Sequence, residues 1–87
     1  MYLILFKKSA EKELEKLPNQ TIRRISKIID SLAVNPRPVG AKKLEGQKES
    51  LWRVRAGDFR IVYLIEDTVK IVEIRRVGHR KDIYKSA

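Results

Sequence analysis

The sequence has 87 residues, which is the size of one domain, so residues 1–87 are expected to fold as a single unit. Its 20 Lys and Arg residues outnumber its 11 Asp and Glu residues, and the formal net charge of +9 favours a negatively charged partner. The absence of cysteine excludes a disulfide framework and a thiol nucleophile, and the single histidine excludes a metal site built from several histidines. We therefore predict no metal and no other cofactor.

Membrane insertion and export are not expected from the apolar pattern. No apolar run approaches the roughly 20 residues that a membrane-spanning helix requires. Residues 1–8 place a short apolar run ahead of two lysines, which is too short for a signal peptide. The sequence therefore predicts a cytoplasmic protein that does not contact a membrane.

The first half of the chain predicts one strand followed by two helices. Residues 2–6 form a short segment rich in aromatic and β-branched residues, which is typical of a strand. Apolar residues recur at helical spacing over 10–17, and again over 20–34 after an interruption by Pro-Asn at 18–19. The Asn-Pro-Arg-Pro sequence at 35–38 ends the second helix, because proline cannot continue its hydrogen bonds. The two helices are expected to form a hairpin.

The second half predicts a meander of three strands. Residues 39–50 contain two glycines and many charges and are expected to form a loop. Three apolar or alternating segments follow at 51–55, 59–65 and 69–77, separated by turn residues. The predicted element order is β-α-α-β-β-β. We therefore expect an α+β fold in which a two-helix hairpin packs on an antiparallel sheet.

Arginines on the predicted strands are the most informative chemical feature. Arg53 and Arg55 are two residues apart and project from the same side of one strand, Arg60 lies on the next strand, and Arg80 follows the last. A guanidinium group matches two phosphate oxygens at once and stays charged, so this group suits a nucleic-acid backbone. Each arginine has an alternative role in an ion pair or in protecting a sheet edge. From residue 51 onward, however, nine basic residues face five acids, which leaves an excess for a ligand.

Two residues near the end of the chain are candidates for chemistry. His79 is the only side chain of the type whose ordinary pKa lies near neutrality, although a lone histidine more often has a structural role. Tyr84 is an aromatic residue in a polar tail. It either docks this tail or stacks on a nucleic-acid base.

Other conspicuous residues have simpler interpretations. Trp52 and Tyr63 alternate with other residues on predicted strands and are assigned to the core. The cluster Arg23, Arg24 and Lys27 lies on the second predicted helix. It is interpreted as a solvated face, with phosphate contact as the alternative.

Two segments carry a resemblance to a known family. LWRVRAGDFRIVY at 51–63 and VGHRKDIY at 77–84 resemble the RelE/ParE toxin superfamily, and more closely its RelE branch. The Ala-x-x-x-Leu-x-x-Leu-Pro pattern at 10–18, the sequence at 35–38 and the Lys-Leu-Glu-Gly at 43–46 agree with it. The resemblance covers nearly the whole chain.

The resemblance implies the toxin of a type II toxin–antitoxin pair. RelE-like members bind the ribosomal 30S A site and cut the messenger RNA there without a metal. The ribose 2′-OH attacks the adjacent phosphate, which leaves a 2′,3′-cyclic phosphate and a 5′-OH. A cognate antitoxin, expected to be acidic and partly disordered, would neutralise a chain of this positive charge. A heterotetramer of toxin and antitoxin is one assembly consistent with this resemblance.

The resemblance also assigns functional positions, which fall at Arg53, Arg55, Arg60, Arg80 and Tyr84. The best-known RelE pattern has lysines where this chain has Arg53 and Arg55. Arginine cannot lose its proton, so these two residues are expected to bind phosphate and not to act as a base. We infer from the residues alone that His79 is the proton acceptor and that Tyr84 stacks on the substrate base.

Two other functions are compatible with the same sequence. A ParE-like protein would poison DNA gyrase without cutting RNA, and the shared fold does not separate it from a nuclease. A basic nucleic-acid-binding module without catalytic activity would also keep the cationic strands.

Overall fold

The computed structural model describes residues 1–83. Its elements over these residues are β1 (Leu3–Phe6), α1 (Lys8–Glu15), α2 (Asn19–Leu32), β2 (Lys42–Lys43), β3 (Leu51–Ala56), β4 (Phe59–Glu66) and β5 (Ile71–His79). The predicted α+β class and the order of the main elements are confirmed. The structure contains one strand that was not predicted, the two-residue β2, which lies inside the predicted loop and pairs with β3.

The strands form one sheet in the order β1-β5-β4-β3-β2. Strands β3, β4 and β5 are antiparallel neighbours, as predicted. Strand β1, however, pairs in parallel with β5, with Leu3 opposite Ile71, so the sheet is mixed and not wholly antiparallel. A parallel pair needs a long connection between its strands, and here both helices and the other strands lie between β1 and β5 in the chain.

Both helices pack on one face of the sheet, because their apolar residues recur at helical spacing. Tyr63, at the centre of this core, is fully buried, and its hydroxyl donates a 2.7 Å hydrogen bond to the backbone oxygen of Pro36. Trp52 is partly buried against the same cluster, so both aromatic residues are core residues as predicted. The buried partners of Tyr63 include Ala10, Ile25, Ile29, Leu32, Val54, Ile61, Ile74 and Val77.

A β-bulge changes which face the end of β5 presents. Val62 pairs with Arg76 but Tyr63 pairs with Ile74, which leaves Arg75 as an extra residue. A bulge of this kind shifts the alternation of side chains by one position. Beyond it, Val77 and His79 therefore project to the helix side, in register with Ile61 and Phe59, while Gly78 is in register with Arg60.

The chain turns back immediately after β5. The backbone N–H groups of Asp82 and Ile83 donate to the oxygen of His79 at 2.9 and 3.0 Å. Ile83 is only 3% exposed and lies over Gly78, where a β-carbon would approach its Cδ1 to 3.8 Å. This turn places Arg80 at the end of the sheet, where its backbone N–H donates a 2.8 Å hydrogen bond to the backbone oxygen of Asp58.

A cluster of charged and polar side chains connects Tyr2, just before β1, with Asp67, just after β4. Asp67 accepts a 2.8 Å bond from Arg37 Nη2 and a 2.6 Å bond from the Tyr2 hydroxyl. These two bonds, first that from Arg37 and then that from Tyr2, lower the pKa of Asp67 to about 2. The Arg37 guanidinium also lies 5.1 Å from the centre of the Trp52 ring, which joins the cluster to the core.

Candidate functional site

The sheet face opposite the helices carries a pocket of about 520 Å³. Its lining residues are all cationic: Arg53, Arg55, Arg60, Arg80 and Lys81. We call this feature the cationic pocket. No acidic residue of the described range 1–83 lines it, so it has the charge and size to hold a phosphate group.

Strands β3 and β4 supply three of the five cations. Arg55 and Arg60 are directly opposite each other in the antiparallel pair, and Arg53 lies two residues away on the same face of β3. The intervening Val54 is 7% exposed and belongs to the core, so the alternation predicted for Arg53 and Arg55 is present. Arg55 is exposed and Arg53 half-buried, and neither forms an ion pair with another residue of 1–83.

Arg60 is the one buried charge among the described residues, with 8% exposure. Its Nη1 donates 2.9 Å hydrogen bonds to the backbone oxygens of Gly57 and Phe59. Carbonyl dipoles stabilise the guanidinium here in place of a carboxylate, so the positive charge is not neutralised. The Nε–H and Nη2–H groups bond to nothing else in residues 1–83 and are not sealed from solvent. The guanidinium is therefore fixed in place and has donors left for an anion.

Arg80 and Lys81 enter the cationic pocket from the turn after β5. The Arg80 Nε lies 4.0 Å from a carboxylate oxygen of Asp58, and both side chains are more than half exposed. Such a contact contributes little and leaves the arginine available. Lys81 was not predicted as a site residue. The only signal for it in the sequence is its position next to Arg80, where a turn can bring two successive side chains to one pocket.

His79 does not line the cationic pocket. Its ring packs edge-on against Phe59, with 5.6 Å between ring centres, on the helix side of the sheet. Its Nδ1 accepts a 3.1 Å hydrogen bond from the backbone N–H of Lys81. The expected proximity of the imidazole to the arginines is therefore not found. The bulge at Arg75 is the reason, because it turns position 79 to the face opposite Arg60.

Tyr84, the predicted stacking residue, lies outside the described residues 1–83. Its assignment remains a prediction from the sequence.

Three other arginines have structural contacts that separate them from the pocket. Arg75 bonds to Glu73 and to Glu49, and the hydrogen bond with Glu49 is the main cause that raises the pKa of this guanidinium. Arg76 Nε lies 3.1 Å from a carboxylate oxygen of Glu13. Arg37 pairs with Asp67 as described above. The alternative role considered for each arginine, an ion pair, thus applies to these and not to Arg53, Arg55 or Arg60.

The described part of the chain offers neither a metal site nor a membrane-spanning helix. Residues 1–83 contain no cluster of three or more His, Cys, Asp or Glu side chains with the geometry of a metal site. No helix in this range is long and apolar enough to span a bilayer.

The cationic pocket can perform a limited set of chemical tasks. Five cations can bind a phosphodiester and stabilise the extra negative charge of a pentavalent transition state. Four of them are guanidinium groups, which do not release protons at any working pH. Among the lining residues, only the Lys81 amine is of a type that can exchange a proton.

Comparison with known proteins agrees with the geometry. The family model described as the ParE toxin of type II toxin–antitoxin systems, parDE, matches residues 4–84. The toxin RelG of Mycobacterium tuberculosis is 33% identical over 85 residues and is matched over 97% of both chains. The toxin RelE3 of Methanocaldococcus jannaschii is 35% identical over 85 residues, with 93% of each chain covered.

A solved structure shares the fold at similar identity. The archaeal RelE–RelB complex from Pyrococcus horikoshii contains a chain that matches with a TM-score of 0.81 and 30% sequence identity. The match covers 93% of this chain and 97% of that one. The resemblance noted in the sequence therefore extends to the whole described fold.

Proposed function

Because the chain belongs to the RelE/ParE superfamily of type II toxins, we propose that it is a ribosome-dependent endoribonuclease that cuts messenger RNA in the A site. The observation that carries this proposal is the cationic pocket, in which five cations converge and whose lining residues within 1–83 include no acid. A binding protein needs positive charge, but a rigid, buried guanidinium such as Arg60 is suited to a transition state.

In the proposed reaction, the bond that forms to phosphorus and the bond that breaks both lie within the RNA substrate. The 2′-oxygen of the ribose attacks the adjacent phosphorus, and the bond from phosphorus to the 5′-oxygen breaks. The products are a 2′,3′-cyclic phosphate and a 5′-hydroxyl. The 2′-OH gives up a proton to a base, and the departing 5′-oxygen takes one from an acid or from water.

The arginines are assigned to the phosphate. Arg60 uses its free Nε–H and Nη2–H groups to bind non-bridging oxygens, since its Nη1 is already held by the turn. Arg53, Arg55 and Arg80 surround the same space and neutralise the charge that develops there. These four residues stabilise the transition state and do not transfer protons.

Lys81 is assigned as the acid that donates a proton to the departing 5′-oxygen, and water accepts the proton of the 2′-OH, so that His79 takes part in neither transfer. Lys81 lines the pocket, whereas the imidazole of His79 lies on the other face of the sheet beside Phe59. Tyr84 keeps its proposed role of stacking on the substrate base.

Cleavage in a purified translation system tests the proposal. Wild-type protein is added to stalled ribosomes, and the 3′ ends of the messenger are mapped. We expect cuts in the A-site codon that end in cyclic phosphate. We also expect Arg80→Ala to slow cleavage by about 100-fold, the usual cost of one lost transition-state contact.

The proton-transfer assignment has its own pair of variants. Lys81→Met removes the amine, and His79→Gln keeps a hydrogen-bond acceptor near the same position. We expect a large loss in the first and a change within severalfold in the second. The opposite order would return the role to His79, and an intact messenger with wild-type protein would refute the nuclease function.

A ParE-like poison of DNA gyrase is the second candidate, and the matching family model favours it. Inhibition of gyrase supercoiling by the purified protein, with the messenger left intact, would support it. If expression of the wild-type chain does not arrest growth, a basic nucleic-acid-binding module without catalytic activity becomes the better interpretation.

A cognate antitoxin is the proposed protein partner. RelE–RelB complexes among the similar solved structures support this, as does the net charge of +9, which favours an acidic and partly disordered chain. Co-purification from the native operon should yield such a companion. Light scattering of the complex would show whether it is a heterotetramer.

A further inference from the structure

Helix α2 exposes three cations that the cationic pocket does not use: Arg23, Arg24 and Lys27. None of them forms an ion pair with another residue of 1–83. Arg23 and Lys27 are four residues apart, so their like charges are neighbours on the helix surface and repel each other. We call these three residues the α2 patch.

The other helix shows that this pattern is not a general property of the chain. Helix α1 and the residue after it carry Lys8, Lys12 and Lys16, but acidic residues alternate with them at positions 11, 13 and 15. That mixture is typical of a solvated face. The only acid on α2 is the exposed Asp30, which lies three residues after Lys27 and forms no ion pair within residues 1–83. The three cations of the α2 patch exceed this single acid and are expected to attract an anion.

The α2 patch is connected to the cationic pocket through the β3–β4 turn. Gly57 in this turn has a φ of +63°, and a β-carbon built on it would lie 2.9 Å from Arg24 Nη1. The backbone oxygen of the same Gly57 accepts the bond from Arg60 Nη1. Arg24 and Arg60 therefore contact one residue, Gly57, which joins the α2 patch to the cationic pocket. The exposed Asp58 is the one acid in this turn.

The surroundings of the α2 patch favour a nucleic acid over a protein. Protein interfaces have an apolar centre, whereas nucleic-acid interfaces are more polar and more positive. The exposed large apolar residues of the described chain lie elsewhere, at positions 1, 3, 5, 6, 34, 39 and 69. Next to Arg24 there is instead a hollow of about 340 Å³ that is lined by Gln20, Thr21 and Arg24.

We propose that the α2 patch is a second RNA-binding surface, which contacts backbone phosphates of an RNA strand outside the cationic pocket. The proposal rests on the proposed function, because it takes RNA as the ligand. The patch contributes affinity and orientation. It does not take part in bond cleavage, since it lies across the turn from Arg60.

The test compares two triple variants that lose the same charge. The first replaces Arg23, Arg24 and Lys27 with glutamine, and the control replaces Lys8, Lys12 and Lys16 with glutamine. The probe is a fluorescein-labelled single-stranded 2′-O-methyl RNA, which has no free 2′-OH and is not cut. Its dissociation constant is measured by anisotropy at a series of salt concentrations, and circular dichroism confirms that both variants are folded.

The salt dependence gives the number of phosphate contacts. Each contact with single-stranded nucleic acid contributes roughly 0.7 to the slope of log affinity against log salt, so three contacts contribute about 2. We expect the slope of the α2 variant to fall by about 2, and the slope of the control variant to fall by less than the roughly 0.7 of one contact. Equal losses in the two variants would overturn the proposal, because net charge alone would then explain them. Unchanged RNA binding with weakened antitoxin binding would also overturn it, by assigning the patch to a protein.

Failure of this inference is separable from failure of the proposed function. If the wild-type chain does not cut messenger but the α2 variant loses salt-dependent RNA binding, the surface stands and the nuclease function does not. If wild-type cleavage occurs and the two variants bind RNA alike, the nuclease function stands and the α2 patch does not.

Discussion

Replacing Arg60 with lysine tests whether the β3–β4 turn fixes a guanidinium for catalysis. The change keeps the positive charge but removes the planar guanidinium. In the wild type this group bonds to Gly57 and Phe59 through Nη1 and keeps its other N–H groups for an anion. Arg55→Lys is the matched control. Arg55 lies directly opposite Arg60 in the sheet and lines the same pocket, but it is exposed.

The structure gives a magnitude for each variant. A hydrogen bond from a charged donor contributes about 1.5–3 kcal/mol. The lysine amine ends one bond short of the position of Nη1, so both bonds to the turn are expected to weaken. We therefore expect Arg60→Lys to lower the free energy of unfolding by about 2 kcal/mol. Arg55→Lys should change it by no more than about 0.5 kcal/mol, because the residue is on the surface. Displacement of the charge at position 60 by about 1 Å should slow cleavage by about 100-fold.

Two measurements on the same protein samples decide the matter. Urea unfolding followed by circular dichroism gives the stability of each variant. Single-turnover cleavage on stalled ribosomes, well below the unfolding transition, gives the rate. If Arg60→Lys matches Arg55→Lys in both stability and rate, the turn does not position Arg60 and the reasoning fails.

Three further outcomes follow from the folded structure. Burial raises the pKa of Tyr63 to about 12, so the stability that this residue contributes is fully present below pH 10 and is lost as the pH rises through 12. The Tyr63→Phe variant should show less of this loss in urea unfolding. At neutral pH the substitution should lower the free energy of unfolding by about 1–3 kcal/mol. The lowered pKa of Asp67 contributes stability that is present above pH 3.8, the ordinary pKa of an aspartate, and is lost as the pH falls through about 2. The Arg37→Gln variant should lose less stability over this acid range in urea unfolding. The same loss in the variant and the wild type would contradict Arg37 as the cause. Gly57→Ala should lower the free energy of unfolding by about 1–2 kcal/mol, because its φ of +63° is strained for alanine. The added substitution Arg24→Ala removes the side chain that the new β-carbon would approach, and it should recover little of this stability in thermal unfolding if the backbone is the main cause.

Local patterns predicted most of the architecture. The alternation of Arg53, Val54 and Arg55 determined which side of β3 faces the core, since a strand has only two faces. Helical spacing similarly predicted the buried side of α2. The partner of β1 was not predictable in this way, because the pairing of Leu3 with Ile71 depends on the path of the whole chain.

The site was predicted less completely, and the reason lies in β5. Strict alternation along this strand does not reveal the extra residue at Arg75, so the face of His79 could not be assigned from the sequence. The three-residue spacing between Ile74 and Val77, both buried, was the available signal for a bulge. The burial of Arg60 depends on carbonyl positions in a turn, and the arrival of Lys81 depends on how the chain turns after β5, neither of which has a sequence signature.

The parallel pairing of β1 with β5 has a consequence for the order in which the cationic pocket forms during synthesis. β1 is made first, yet its hydrogen-bonding neighbour is the strand that emerges after all the others. The β3–β4 hairpin can form locally, but the sheet cannot close while the nascent chain lacks β5, and such distant pairings form late. Arg80 and Lys81 follow that strand, so all five cations of the pocket come together only after β5 has joined the sheet. The cationic pocket is thus completed late, after the two strands that carry Arg53, Arg55 and Arg60 have paired.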